Sequence, residues 1–213
     1  MNTTAVGMSI FGLLIVGGLV LAVGQGQKQR EQVARYSDSR GYPMLMETDS
    51  RLAELLSEAL PDVTWSIQRL MLVDGAPPRS YLFGLETRPK EGRATSSNST
   101  GFLAEHRIGR IDSPVVIFSR TPGLDVMMGH GAEVGAQDFR KRYTVSGASA
   151  RTATEVVNLE IQRILLEHWN GPGWYLTVTI TGGAVLVSSY WAQSEEEWDY
   201  LVELGRKLRD HVR

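Results

Sequence analysis

The sequence predicts an α+β fold: an N-terminal transmembrane helix followed by an antiparallel β-sheet domain packed by two or three amphipathic helices. Three observations carry that reading. Ala5 to Gly24 is an uninterrupted apolar run. Apolar residues then recur at intervals of three and four in three separate stretches, which is the stripe of a helix with one buried face. Between those stretches lie short β-branched and aromatic runs bounded by Gly, Pro and Asp, the punctuation of antiparallel strands.

AVGMSIFGLLIVGGLVLAVG, residues 5–24, has no charge and no amide, and about 20 apolar residues is what a helix needs to cross the hydrocarbon core. A cleaved secretory signal is the rival. Ala22-Val23-Gly24 offers it a small-residue site, but no Lys or Arg precedes the run and the run is longer than such signals use. A retained anchor is therefore expected. Lys28, Arg30, Arg35 and Arg40 follow closely, so the positive-inside rule places the N-terminus outside and the larger part in the cytoplasm, a single-pass protein of the cell membrane. Residue 2 is Asn, which excludes N-myristoylation. Gly18 and Ala22 form a small-xxx-small pair on which a second helix can pack, leaving a homo-oligomer open, although a lone span is the simpler reading.

All 22 basic and 24 acidic residues fall after Gly24. With a pI near 6.1, that remainder lacks the basic footprint nucleic acid demands, and no nucleic-acid partner is expected. The bilayer and a protein are the expected partners. The chain has no cysteine, which removes disulfides, thiolate metal ligands and a cysteine nucleophile together.

Residues 1–24 thus read as the anchor, 25–40 as a polar juxtamembrane stalk and 41–213 as the soluble α+β domain. Leu52, Leu55, Leu56, Ala59 and Leu60 predict a short amphipathic helix between an Asp49 N-cap and Pro61. Trp65 to Val73 and Tyr81 to Leu85 predict two antiparallel strands joined through Asp74-Gly75-Ala76-Pro77-Pro78. Gly92 to Gly101, GRATSSNSTG, has no apolar anchor to offset the entropy of ordering it and is expected as a mobile loop. Asn98-Ser99-Thr100 and Asn2-Thr3-Thr4 match the glycosylation triplet, a motif short enough to arise by chance. Phe102 to Ile111, Pro114 to Ser119 and Leu124 to Met128 read as further strands. Thr152 to Trp169 reads as one helix carrying Val156, Val157, Ile161, Ile164 and Leu165. Strands over Tyr175 to Thr181 and Ala184 to Trp191 flank Gly182-Gly183, a hairpin signature in which both glycines can take positive φ. Ser194-x-x-Glu197 is a capping box opening a terminal helix through Trp198, Leu201, Gly205, Leu208 and Val212.

Chemistry is sparse. The histidines, His106, His130, His168 and His211, show no metal-ligand spacing such as H-E-x-x-H. His168 and His211 stand in last turns of helices, where a cation favours the dipole. His130, between Gly129 and Gly131, is the one candidate for an enzyme site, because glycines leave room for a ligand. No nucleophile elbow accompanies it, and glycines around a histidine mainly mark a turn. Phosphate loops are absent. Arg140-Lys141-Arg142 reads as a solvated strand end, and the five tryptophans as core. The site inventory is accordingly empty: catalytic none, cofactor-binding none, metal none, cofactors none.

The Arg40-Gly41-Tyr42 opening before a short helix, the Phe139-x-x-x-Tyr143-x-Val145 stretch before a longer one, and the closing hairpin and helix resemble uncharacterised bacterial single-span membrane-anchored proteins with a soluble α+β domain of unknown function. The resemblance implies a membrane-tethered domain and brings no catalytic residues. The function expected is a binding or scaffolding module on the cytoplasmic face. The rivals are a membrane-tethered enzyme with a site near His130 and an extracytoplasmic envelope domain.

Overall fold

The structure, a computed structural model, describes residues 28–90, 96–106, 111, 113–120, 133–147, 149–171, 175–190 and 192–212. The apolar run 5–24, His130, and the strand expected over Leu124 to Met128 lie outside them. No described helix is long and apolar enough to cross a membrane. The chain divides into two units, Met1–Tyr42 and Pro43–Arg213.

In the first unit the stalk is helical over residues 28–40 (α1). Gly41 ends it with a φ of +66°, a left-handed conformation that costs glycine no Cβ clash. The Tyr42 N–H donates to the Ser37 carbonyl at 2.9 Å, and Arg40 lies 5.8 Å from the Tyr36 ring centroid.

The second unit is α+β, built on one antiparallel sheet of seven strands. Its elements are α2 (Ser50–Ala59), β1 (Val63–Asp74), β2 (Ser80–Pro89), β3 (Ser97–Glu105), β4 (Val115–Ser119), α3 (Gln137–Arg142), β5 (Tyr143–Ser146), α4 (Ala150–Val156), α5 (Leu159–Glu167), β6 (Leu176–Ile180), β7 (Ala184–Ser189) and α6 (Glu195–His211). The strand order is β1-β2-β3-β7-β6-β4-β5.

Period-two alternation assigns each strand residue to a face. Tyr81, Phe83, Leu85, Leu103, Ala184 and Leu186 point to one side, where Leu52, Leu55, Leu56 and Ala59 of α2 complete a buried cluster. The Asp49 carboxylate caps α2 by accepting from the Leu52 N–H at 2.7 Å, as its sequence predicts. On the other face lie Leu82, Phe102, Val185, Val187, Val178 and Ile117, all buried, against the side that α6 covers. Each such side chain removed from water contributes about 1.5–3 kcal/mol. Gly205 brings α6 close: a Cβ there would lie 2.1 Å from Phe102 Cδ1. The α6 capping box forms as expected, with Ser194 Oγ accepting from the Glu197 N–H and Glu197 Oε2 accepting from the Ser194 N–H.

The structure departs from sequence expectation in four places. The loop expected over Gly92 to Gly101 is strand from Ser97 onward. Ser97 to Thr100 bury little apolar surface, but β2 pairs along them and β7 joins at Thr100, so the backbone ladder orders them. Asn98 of the glycosylation triplet is thereby a strand residue opposite Glu86. The helix expected over Thr152 to Trp169 is two, α4 and α5. Asn158 divides them, its side-chain oxygen accepting from the Glu160 and Ile161 N–H groups, an N-cap that competes with helix continuation. The 182–183 hairpin forms, yet neither glycine is among those with positive φ. Thr181 Oγ1 instead accepts from the Gly183 and Ala184 N–H groups, and Gly183 lies close under α2, where a Cβ would stand 2.8 Å from Leu55 Cδ2. Arg140, Lys141 and Arg142 form the last turn of α3, where Arg140 pairs with Glu133 and Lys141 with Asp138.

Candidate functional site

Among the described residues of the second unit, two concavities differ in their chemistry. The first is polar, about 740 Å³, and is lined by Arg51, Pro77, Glu105, His106, Arg209 and Asp210 among others. Its charges are satisfied by one another. Arg51 reaches Glu54 at 2.8 Å and Glu105 at 3.7 Å, while Arg209 reaches Asp210 at 2.9 Å and Asp74 at 3.4 Å. Asp74 also holds Arg206 through two hydrogen bonds and accepts from Ser80 Oγ. Burial raises the Asp74 carboxyl, but the Arg206 and Ser80 hydrogen bonds and the two guanidinium charges outweigh it and hold the group below its ordinary value. This network fastens α6 to the β1–β2 hairpin.

His106 is 8% exposed and neither ring nitrogen has a hydrogen-bond partner among the described residues. Burial pushes its imidazole below the usual value, opposed in part by the backbone at Ala184 and Thr181, which stands near without hydrogen-bonding geometry. The nitrogens are themselves enclosed, so they present nothing to a ligand in the basin. His168 and His211 sit at helix ends as their sequence positions predict, each with Nδ1 at 2.8 Å from a carbonyl one turn back. Among the described residues no group of three or more His, Asp or Glu is placed to hold a metal ion.

The second concavity is a groove of about 440 Å³ on the α2 face of the sheet. It exists because α2 packs over β2, β3 and the start of β7 and does not extend across the rest. On β7, β6 and β4 the residues pointing to this side are Ser188, Thr177, Thr179, Val116 and Phe118, in register across the strands: Thr177 opposes both Ser188 and Phe118, and Thr179 opposes Val116. The same strands turn Val187, Val178, Ile180 and Ile117 to the opposite, closed face. Thr179 is 2% exposed at the floor, whereas Val116, Phe118, Thr177 and Ser188 are half-buried.

Leu60 and Val63, at the end of α2 and the start of β1, supply the facing wall, and Tyr190 stands at one end. Gly147, at a φ of +97°, makes the tight approach to Pro114 at the other, where a Cβ would lie 2.3 Å from the Pro114 carbonyl oxygen. Among the described residues lining the groove, Asp62 is the one that carries a charge at neutral pH. The Lys90 ammonium donates to the neighbouring Pro61 carbonyl, so among the described residues the rim has a cation beside the Asp62 carboxylate.

The groove residues carry no motif and the sequence reading passed over them. One signal was present: LTVTI in β6 and YTVS in β5 alternate apolar residues with threonine. That pattern marks strands closed on one face only.

Among the described residues the arrangement defines a class, an α+β domain on a seven-stranded antiparallel sheet with one face covered in part by α2. No family model matches the chain, and no curated protein matches it in sequence. Among solved structures it is similar to the mycobacterial trehalose monomycolate transport factor A, TtfA, with a TM-score of 0.52 at 15% identity over 85% of this chain and 93% of that one. At that identity the likeness is one of fold.

Proposed function

We propose that the protein is a membrane-tethered binding module, held by the apolar segment 5–24 with its folded domain on the cytoplasmic side, and that it binds through the half-covered face of the sheet. The observation that carries the reading is the groove over β7, β6 and β4. It joins aliphatic and aromatic walls to a hydroxyl floor, the mixture of apolar lining and few polar groups that binding sites use. It lacks the converging titratable groups that acid–base or nucleophilic chemistry needs. The basic flank from Lys28 to Arg40 supports the orientation. The structural neighbour is a trehalose monomycolate transport factor, which accords with a module that holds its ligand rather than converting it.

Two measurements test this. Because the chain has no cysteine, M46C introduces a single thiol at a site 97% exposed. A membrane-impermeant maleimide should label it in lysed cells and leave it unlabelled in intact ones. Labelling in intact cells would place the domain outside and overturn the orientation. A photoreactive p-benzoylphenylalanine at position 118 should give an adduct in cells, while the same group at exposed Arg88 gives none. No adduct at 118 would remove the groove as the binding face.

A further inference from the structure

We infer that the groove takes an electrically neutral amphiphile, an apolar chain carrying a hydroxylated or ester-linked head; this rests on the binding-module reading and narrows its ligand. The charge pattern is the first argument. A charged head seated on Thr177, Thr179 and Ser188 would lose its water with no opposite charge among the lining residues on the floor. Asp62 and Lys90 at the rim carry opposite charges, so together they give the described rim no net sign. Desolvating an ion without a partner is the costlier exchange, whereas a hydroxyl or ester loses little when it exchanges water for a side-chain hydroxyl.

The hydroxyls also suit a neutral head because each both donates and accepts, so the half-buried Thr177 and Ser188 can meet alcohol and carbonyl groups alike. The second argument is the shape of the apolar surface. Val116 and Phe118 on one side and Leu60 and Val63 on the other make two facing walls, which cover an alkyl chain along its length. A volume near 440 Å³ lies within the range of small-molecule sites, about 300–1,000 Å³, and is far below what a folded partner would occupy. The third is supply: a domain tethered by a membrane segment works beside a reservoir of amphiphiles.

The experiment uses the full chain in lipid nanodiscs with three diazirine-bearing probes of one chain length: monodecanoylglycerol, decyl sulfate and decyltrimethylammonium. Irradiation and peptide mapping should place the glycerol ester on the peptides holding Val115–Ser119 and Leu176–Ile180. Its yield should exceed that of either charged probe by about tenfold, the equivalent of about 1.4 kcal/mol. S188W, at a half-buried position, should cut that yield at least several-fold with an unchanged melting temperature. F118D should do the same, and covers the case in which the bulkier variant fails to fold.

Equal labelling by all three probes would reduce the effect to chain partitioning and overturn the inference, as would preference for a charged probe or adducts elsewhere in the chain. If the benzophenone adduct at position 118 persists while the glycerol ester fails to label, the ligand class is wrong and the binding face stands. If both fail, the binding-module reading falls with it.

Discussion

Gly205→Ala sets two well-measured effects against each other at one atom. In a helix interior alanine is better than glycine by about 0.8–1.0 kcal/mol, so at an open site the change would stabilise. At position 205 the new Cβ would lie 2.1 Å from Phe102 Cδ1 and 2.4 Å from Phe102 Cε1, where non-bonded carbons prefer about 3.5–4.0 Å. Relief needs a displacement of more than about 1 Å by α6 or by a ring that is itself fully buried. Overpacking costs typically about 1–3 kcal/mol, and a rigid aromatic met by helix backbone belongs at the upper end. The net loss is then about 2 kcal/mol, and in a chain of this size each kcal/mol moves the melting point by about 2–4 °C. Thermal unfolding of the full chain in detergent, followed by tryptophan fluorescence, should show a fall of about 4–8 °C. F102L in the same background should recover most of it, with a coupling of at least about 1 kcal/mol in the double-mutant cycle. An unchanged or raised melting point for G205A would refute the close helix–sheet approach.

Asp74→Asn should lower stability at pH 7 by about 1–2 kcal/mol, charged hydrogen bonds being discounted for the solvent that still reaches the group, as read by urea unfolding. Its folded carboxyl sits below the ordinary value, so its contribution is complete above the unfolded pKa near about 3.9 and fades as pH falls through the folded one. The Asn variant should therefore lose that part of the acid dependence. His106→Phe should be neutral or stabilising at pH 8, since it replaces two unpartnered buried nitrogens with a ring of similar shape. The imidazole is depressed in the folded state, so wild-type stability should decline as pH falls below about 6.5, where the unfolded chain gains the proton first. The Phe variant should lack that decline, and an identical pH profile would show that His106 reaches solvent.

Local rules were legible wherever one principle acted alone. Asp49 and Ser194 cap the helices their spacing announced, and the apolar stripe of Leu52, Leu55 and Leu56 points into the core. The misreadings arose where distant parts decide. Ser97 to Thr100 carry no apolar signal and become strand because β2 and β7 supply partners from either side. The apolar stripe from Thr152 to Trp169 continues across Asn158, yet that side chain caps α5 and breaks the helix there. Gly183 reads as a turn glycine, yet its φ is not positive and its neighbour is Leu55 of α2, which a Cβ there would crowd. The groove was the least legible feature, because it is created by where α2 stops, and nothing in the threonines of β6 says what will fail to cover them.

The seat of β7 between β3 and β6 has a consequence for how the chain must be made. Of the strands in this sheet, the last in sequence is the keystone. Until it arrives, β1-β2-β3 and β6-β4-β5 are separate ribbons with raw hydrogen-bonding edges, open to pairing with other chains. Closure waits on contacts between residues far apart in sequence, the slowest kind to form. A chain ending before Ala184 would therefore yield two adhesive fragments in place of a smaller domain, and nascent copies would need shielding through most of their synthesis.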